Sequence, residues 1–333
     1  MKIDIEFNSG AQLPMDAIPE LASLAEDVGF GCAWAGEANN KDPTVMLAAI
    51  AAVTDRIEVG TAVYHMLGRT PATLALQVLG LDELSQGRFR LGVGISNPTI
   101  AAWHGVPMDR PLARIQEYLE IVRRALEREK LSFAGRFYQS HGFKAAFRPQ
   151  PRAIPLYIAA FGPKMSRLAG RLSDGVLINM ANEEQVIRIV EHVREGTKSA
   201  GEDPDSREVI CKIRCCLATD RGAARNSLSK VLTYYALADY YRDLLTRMGF
   251  GAEVEAIRLA WLSGGFEAAR AKITDRLFDA LPLVAAKSVG EVMEKVERYA
   301  DAGATRVILP YVPCSDDAVT ETRRFIAAFA GFL

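Results

Sequence analysis

The sequence lacks the features that would place it in a membrane, in an export pathway or on a nucleic acid. No apolar run approaches the roughly 20 residues that cross a bilayer, and the first residues have no basic region followed by a long apolar one, as a signal peptide would. The formal net charge is −1, which gives no electrostatic reason to bind nucleic acid or an anionic membrane. We therefore expect a cytoplasmic protein with a small-molecule substrate.

Cysteine and histidine are sparse, and neither has the spacing of a structural site. The five cysteines are odd in number and form no CxxC pair, so buried free thiols are expected rather than disulfides or structural zinc. None of the four histidines has metal-ligand spacing to another, and we assign no metal. Of the four, His65 and His104 are the best placed to reach a ligand.

What the sequence contains is a regular alternation of short apolar runs and amphipathic segments. The runs predict eight strands, at residues 2–7, 32–36, 56–63, 88–94, 156–160, 176–178, 209–217 and 306–309. Strands that alternate with helices predict a parallel sheet covered by helices. Eight such units without GxGxxG at the first turn favour a closed (β/α)8 TIM barrel, an α/β fold.

No linker of disordered composition divides the chain, so we expect a single domain over residues 1–333 with two insertions. The first, at about 131–150, reads as irregular structure or a hairpin. The second, at about 221–285, is helical in pattern and lies between strands seven and eight. Its tyrosines, Tyr234, Tyr235, Tyr240 and Tyr241, would either line a substrate pocket or simply pack.

One strand–helix–strand unit, residues 155–179, contains a turn with the chemistry of an anion site. Gly162 permits close approach of a ligand, and Pro163 suits the first position of the helix. The N–H groups that follow have no intrahelical partner, the helix dipole is positive here, and Lys164 adds a charge. The turn is therefore either a phosphate site or an ordinary turn that uses proline to start its helix.

Residues 81–94, LDELSQGRFRLGVG, resemble the signature of the bacterial luciferase-like superfamily, and residues 57–63 and 155–179 continue the match. The last of these segments, together with Glu6 and Asn39-Asn40, is similar to the methylene-tetrahydromethanopterin reductase branch, which uses the deazaflavin coenzyme F420. The resemblance covers residues 1–220 well and 286–333 acceptably. Residues 221–285 carry no such motif, so the substrate cannot be named.

The resemblance implies a TIM-barrel oxidoreductase that forms a homodimer or a higher homo-oligomer, with its coenzyme at the carboxyl ends of the strands. Its reaction would be F420-dependent hydride transfer to or from a small organic substrate. The alternatives are an FMN-dependent monooxygenase and a barrel that binds flavin without turnover. The resemblance also implies a cis peptide bond between Ala62 and Val63, behind the coenzyme ring. The implied cofactor contacts are Ala62, Val63, Gly94, Asn97, Ala160, Phe161, Gly162, Pro163, Lys164 and Met165.

Two carboxylates at neighbouring strand ends, Glu6 and Glu37, are the candidate catalytic residues. The alternative is that each caps a helix or pairs with a nearby arginine or lysine. Glu6 leaves a strand of packed apolar residues, and partial burial would favour the protonated form that a proton donor needs. Glu37 lies beside Asn39 and Asn40, a polar setting in which it would stay ionised and bind the coenzyme or the substrate.

Two positions depart from the pattern of the resembled family. Asn97 stands where several relatives carry an acid, and it would either bind a ring carbonyl or coenzyme hydroxyl, or cap the following helix. Ala38 stands where many F420-dependent relatives carry histidine. This difference argues against a histidine-assisted mechanism.

Overall fold

Alternate residues of the first strand face two different environments, and this alternation explains the architecture. Ile3, Ile5 and Phe7 pack into the main apolar core together with helix residues, whereas Asp4 and Glu6 point to the other side. In the computed structural model, which describes residues 1–7, 13–146 and 153–333, that other side is the inside of a closed barrel. A small apolar layer fills the barrel between its polar ends, and it includes Trp34 and Tyr157.

Thirteen strands are described. They are β1 (Lys2–Glu6), β2 (Cys32–Ala35), β3 (Glu58–Thr61), β4 (Tyr64–His65), β5 (Phe89–Gly94), β6 (Ser132–Ala134), β7 (Gln139–His141), β8 (Leu156–Ala159), β9 (Gly175–Ile178), β10 (Glu208–Lys212), β11 (Arg214–Leu217), β12 (Leu283–Ala286) and β13 (Arg306–Pro310). The barrel order is β3-β2-β1-β13-β10-β9-β8-β5, all pairs are parallel, and β5 pairs back with β3 to close it. The predicted (β/α)8 barrel is confirmed.

Helices follow the barrel strands on the outside. They are α1 (Ile18–Val28), α2 (Pro43–Ala51), α3 (Pro71–Leu84), α4 (Pro98–Trp103), α5 (Pro111–Leu126), α6 (Pro163–Leu172), α7 (Glu183–Ser199), α8 (Arg221–Leu237), α9 (Asp239–Leu245), α10 (Gly251–Arg270), α11 (Asp275–Ala280), α12 (Val289–Asp301) and α13 (Ala318–Ala328). Several begin with proline in the first turn behind a capping side chain, such as Asp42 before α2 and Thr70 before α3. No helix of the described ranges is long and apolar enough to span a bilayer.

The predicted seventh strand is not continuous. It breaks at Ile213, whose N–H donates to the Ile308 carbonyl at 2.9 Å, and β10 remains in the barrel while β11 leaves it. β11 pairs in parallel with β12 as a separate two-stranded sheet. β12 lies in part within the stretch 221–285 that the sequence pattern predicts to be helical. The apolar run that forms β12 is short and has segments of helical periodicity on both sides, so the sequence pattern did not predict a strand there.

The two insertions have different characters. The first contains an antiparallel hairpin, β6 and β7, and residues 147–150 of its predicted range lie outside the described residues. The second builds its own apolar core from α8, α10, α11, β11 and β12. This core is continuous with Met180 and Val312 near the barrel mouth, so the second insertion is anchored at the carboxyl ends of the strands.

Candidate active site

A cavity of ≈ 370 Å³ lies at the carboxyl ends of the barrel strands, in the size range of small-molecule sites. Its polar lining comes from the ends of β1, β9 and β10 and from the start of β11, as Glu6, Asn179, Lys212 and Arg214. A second space of ≈ 140 Å³ adjoins it and shares part of its lining. Glu37, at the end of β2, also lines the larger cavity, so the two predicted catalytic residues are brought together.

Glu6 is held in a buried ion pair. Lys212 Nζ donates to Glu6 Oε1 at 2.8 Å and to the Ala62 carbonyl at 2.6 Å. The Glu6 side chain is fully buried and that of Lys212 is 9% exposed. A Cβ at Gly36 would lie 2.9 Å from Glu6 Oε1, so glycine there leaves room for the carboxylate. Glu6 Oε2 has no hydrogen-bond partner in the described chain and is the oxygen left for a ligand.

Glu37 is held by Arg69 in a bidentate pair, with N···O distances of 2.6 and 2.8 Å. Its Oε2 also accepts a hydrogen bond of 2.6 Å from the backbone N–H of His65. Burial lowers the pKa of the Arg69 guanidinium, but the Glu37 carboxylate raises it by more, so this pKa lies above its usual value. Both Glu6 and Glu37 therefore pair with a nearby cation, as the alternative interpretation of the sequence states.

His65 lines both cavities. Burial lowers the pKa of His65, although the Glu37 carboxylate acts in the opposite direction. Neither ring nitrogen has a hydrogen-bond partner among the residues that the structure describes. His65 can therefore donate to or accept from a ligand.

Arg214 joins the barrel to the second insertion. Its guanidinium donates to Asn179 Oδ1 at 2.8 Å and to the Tyr235 hydroxyl at 2.6 Å, and it lies 4.9 Å from the centre of the Tyr235 ring. Asn179 Nδ2 in turn donates to the Tyr241 hydroxyl at 3.1 Å. Tyr235, Tyr240 and Tyr241 line the two spaces, whereas Tyr234 is 68% exposed on the outer surface.

The predicted cofactor contacts fall into two groups. The peptide bond between Ala62 and Val63 is cis, which confirms the prediction. Ala62, Val63, Gly94, Asn97, Ala160 and Phe161 line the cavities. A Cβ at Gly94 would lie 2.8 Å from Val63 Cγ2, so only glycine allows β5 to approach the cis segment. The other four, Gly162, Pro163, Lys164 and Met165, are not in the lining as described and form the first turn of α6 next to Phe161.

The turn at the start of α6 has the features of an anion site. Gly162 is the residue before the helix and has no side-chain cap, and its carbonyl accepts the N–H of Ser166 at 3.0 Å. Pro163 has no N–H, which leaves the amides of Lys164 and Met165 directed out of the helix start. Asn97, in contrast, caps α4, because its Oδ1 accepts the N–H of Ile100 at 3.1 Å.

Lys212, Arg214 and Arg69 are the site residues that sequence reasoning missed. A signal for two of them was present, because the predicted strand 209–217 is apolar apart from Lys212 and Arg214. Two residues apart, they share one face of a strand with Ile210, which faces the barrel interior. A charged residue on the inner face of a barrel strand near its carboxyl end is a site candidate.

The two adjoining spaces combine polar and apolar lining. Within the described ranges, their lining residues include buried polar atoms without partners, among them Glu6 Oε2, both nitrogens of His65 and Ser96 Oγ. Leu177 and Leu244 contribute apolar surface. This mixture suits a flavin or deazaflavin ring, with hydrogen-bonding atoms at one end and an aromatic body.

Comparison with known proteins gives consistent results. The family model of the luciferase-like monooxygenases matches residues 4–306. The chain is 29% identical over 314 residues to the 5,10-methylenetetrahydromethanopterin reductase of Archaeoglobus fulgidus, with 92% of each chain covered. Its fold is similar to that of the coenzyme F420-dependent tetrahydromethanopterin reductase of Methanopyrus kandleri, with a TM-score of 0.85, 23% identity and 98% of each chain covered. A monooxygenase from Streptomyces bottropensis has a similar fold, with a TM-score of 0.73, 24% identity and 100% and 98% covered.

Proposed function

Because the chain belongs to the luciferase-like monooxygenase family, we propose that it is an oxidoreductase that uses coenzyme F420 to transfer a hydride to or from a small organic substrate. The observation that carries the proposal is the buried Glu6–Lys212 pair, which lies beside the cis Ala62–Val63 segment in the cavity. A putative coenzyme F420-dependent oxidoreductase of Mycobacterium tuberculosis, 28% identical with 93% of this chain and 94% of the relative covered, supports the choice of F420.

The chain offers a place for each part of such a coenzyme. F420, when bound, supplies or accepts a hydride at its deazaflavin ring. Ala62, Val63 and Gly94 would contact the ring, and His65 would hydrogen-bond to its polar edge. The backbone amides of Lys164 and Met165 would bind the phosphate, with the Lys164 ammonium adding a charge.

The Glu6–Lys212 pair would handle the proton. Hydride delivery to an unsaturated substrate leaves developing negative charge, which must be protonated or neutralised. Glu6 Oε2 is the oxygen that would exchange the proton with the substrate, and the Lys212 ammonium, 2.8 Å from Oε1, would return a proton to the Glu6 carboxylate. Lys212, whose side chain is 9% exposed, would regain its proton from water at the cavity mouth once per turnover.

Glu37 would contribute to ligand binding rather than to proton transfer. Both of its oxygens are engaged by Arg69 and by the His65 N–H, so it holds in place the segment that carries His65. A barrel that binds flavin without turnover has no need of carboxylates in its cavity. Glu6 and Glu37 both line the cavity, which supports an enzyme instead.

A coenzyme titration tests the proposal. The purified protein is titrated with F420 and, separately, with FMN, and the absorption and fluorescence of each coenzyme are followed. Binding of F420 at micromolar concentrations, with FMN at least about tenfold weaker, is the expected result. Tight binding of FMN alone would overturn the assignment of the coenzyme.

The second candidate is an FMN-dependent monooxygenase. It is favoured by the apolar and tyrosine lining from α9, Tyr241 and Leu244, which would shield an oxygen-reactive ring from water. Oxygen consumption by the protein loaded with reduced FMN would distinguish it from the first candidate, because the F420 reaction consumes no oxygen.

A further inference from the structure

Arg214 is a buried cation that has no carboxylate partner among the residues that the structure describes. We propose that Arg214 binds an anionic oxygen of the ligand in the cavity, and that this oxygen belongs to a carboxylate of the substrate. That the ligand is a substrate rests on the proposed function, but the existence of an anion site does not. The proposal gives the unnamed substrate a chemical class, a small organic acid.

Three other arginines, each with at most 11% of its side chain exposed, show what is missing at Arg214. Arg306 pairs with Asp4 and Glu58, Arg90 with Glu58 and Glu208, and Arg69 with Glu37. Arg214 is 1% exposed, yet none of the ion pairs formed by the described residues includes it. The stretches 8–12 and 147–152 contain no Asp or Glu, so they hold no acidic side chain that could serve. A buried charge without a counter-charge is unfavourable unless a ligand supplies one.

Four charged residues line the cavity, two acidic and two basic: Glu6, Glu37, Lys212 and Arg214. Lys212 pairs with Glu6, and Glu37 pairs with Arg69, which lies outside this lining. Among the described residues Arg214 therefore remains without a matching negative charge. Its Nε is buried, and the described chain offers it no acceptor. Nη1 already donates to Asn179 and contacts Met180 Sδ, and Nη2 donates to Tyr235. The Nε–H is thus a charged donor without a partner, and a charged donor forms a stronger hydrogen bond to an anionic oxygen than a neutral one does.

Neutral partners fix the orientation of Arg214. Asn179 Oδ1 accepts from Nη1 at 2.8 Å, and the Tyr235 hydroxyl accepts from Nη2 at 2.6 Å. The Tyr235 ring lies 4.9 Å from the guanidinium carbon, close enough for cation–π attraction. Neither partner neutralises the charge. The arginine is thus positioned for an anion in advance, and the positioning tyrosine comes from the insertion for which sequence reasoning found no motif.

Two sources could supply the anionic oxygen: the substrate, or an ionised coenzyme ring. The test therefore begins without coenzyme. Benzoate and benzamide, which have similar shapes but differ in charge, are titrated into the protein at pH 7 by calorimetry. Benzoate should bind at least about tenfold more tightly than benzamide. Arg214→Gln should remove that preference, and the exposed control Arg188→Gln on α7 should retain it.

A second variant covers the case in which Arg214→Gln does not fold, which circular dichroism and thermal unfolding would reveal. Tyr235→Phe keeps the charge and removes one hydrogen bond that holds it, and we expect benzoate affinity to fall by about threefold. Equal binding of benzoate and benzamide to the wild-type protein would overturn the proposal. So would unchanged benzoate affinity in Arg214→Gln or, if that variant does not fold, in Tyr235→Phe.

The source of the anion is then decided with F420. If benzoate still binds to the F420-loaded protein, and Arg214→Gln leaves F420 affinity within about twofold of wild type, the substrate assignment is supported. If benzoate and F420 compete and the variant weakens both, the anion belongs to the coenzyme and the substrate assignment is overturned. If F420 does not bind while benzoate does, the anion site stands and the proposed function fails.

Discussion

At the scale of single residues, the two carboxylates of the site are paired with cations before any ligand arrives. Lys212 and Glu6 lie 206 residues apart in the chain, and Arg69 and Glu37 lie 32 apart. Each pair removes the cost of a lone buried charge and sets the orientation of a carboxylate. The two acidic residues could be predicted from their strand-end positions. Their cationic partners could not, because such pairing depends on which strands become neighbours.

The first prediction concerns the proton. Glu6→Gln preserves shape and hydrogen bonding but cannot carry a proton, so kcat should fall by about 100-fold or more. F420 affinity should be unchanged, as measured by titration of coenzyme fluorescence. Normal turnover in Glu6→Gln together with slow turnover in Glu37→Gln would reverse the roles assigned to the two residues. Normal turnover in both would mean that the proton comes from another group.

A second prediction separates binding from chemistry at Glu37. Glu37→Gln removes the charge that pairs with Arg69 and loosens the segment that carries His65. Ligand affinity should fall by about tenfold, seen as a higher KM and a weaker coenzyme Kd, with kcat changed much less. Glu6→Gln should show the opposite result, a lower kcat with unchanged F420 affinity, so the two variants are measured together. A loss confined to kcat would contradict the assignment of Glu37 to binding.

At the scale of secondary-structure elements, local sequence patterns were sufficient to predict a helix or strand where its position did not depend on long-range pairing. The unit from β8 through α6 to β9 appears as the sequence pattern predicts. The departure at Ile213 follows from long-range pairing. There β10 keeps its register with β13, while β11 pairs with β12, almost 70 residues later. No local pattern specifies which partner a strand takes after such a break.

The third prediction tests the start of α6 as a phosphate site. Gly162 has an ordinary φ of −87°, and a Cβ added there would meet nothing within 4 Å. Substitutions should therefore leave the fold stable. Gly162→Asp places a carboxylate near the helix start and should weaken F420 binding by about tenfold or more through repulsion. Gly162→Asn is the matched control of the same size without charge. Equal F420 affinities in the two variants would remove the phosphate from this turn.

At the scale of the whole molecule, closure of the barrel creates two polar layers separated by an apolar one. The carboxyl-end layer holds the site. The amino-end layer holds Asp4, Glu58, Glu208, Arg90 and Arg306 in one network, with Trp34 Nε1 donating to Asp4 Oδ2 at 2.8 Å. Lys2, Asp4 and Glu6 alternate with apolar residues in the sequence of the first strand, which indicates a polar face. That Asp4 and Glu6 would be buried follows only from eight strands closing into a ring.

The last prediction concerns the pH dependence of folding, which belongs to this amino-end layer. Three carboxyl groups face two guanidinium groups there, so one carboxyl group is in excess. Burial raises the pKa of Asp4 to about 7, although Arg306 at 3.1 Å and the Trp34 hydrogen bond act to lower it. In the unfolded chain an aspartate titrates near pH 4. The folded protein therefore binds a proton that the unfolded chain has already released between about pH 4 and 7.

The contribution of Asp4 to the free energy of unfolding should be fully present below about pH 4 and lost as the pH rises through 7. Asp4→Asn keeps an acceptor for Trp34 but cannot titrate, so its stability should fall less than that of wild type between pH 4 and 7. Urea unfolding across this range measures the difference, and the exposed variant Glu184→Gln on α7 should follow wild type. Parallel profiles for wild type and Asp4→Asn would mean that Asp4 stays ionised beside Arg306, with the excess proton carried by another carboxyl group of the layer.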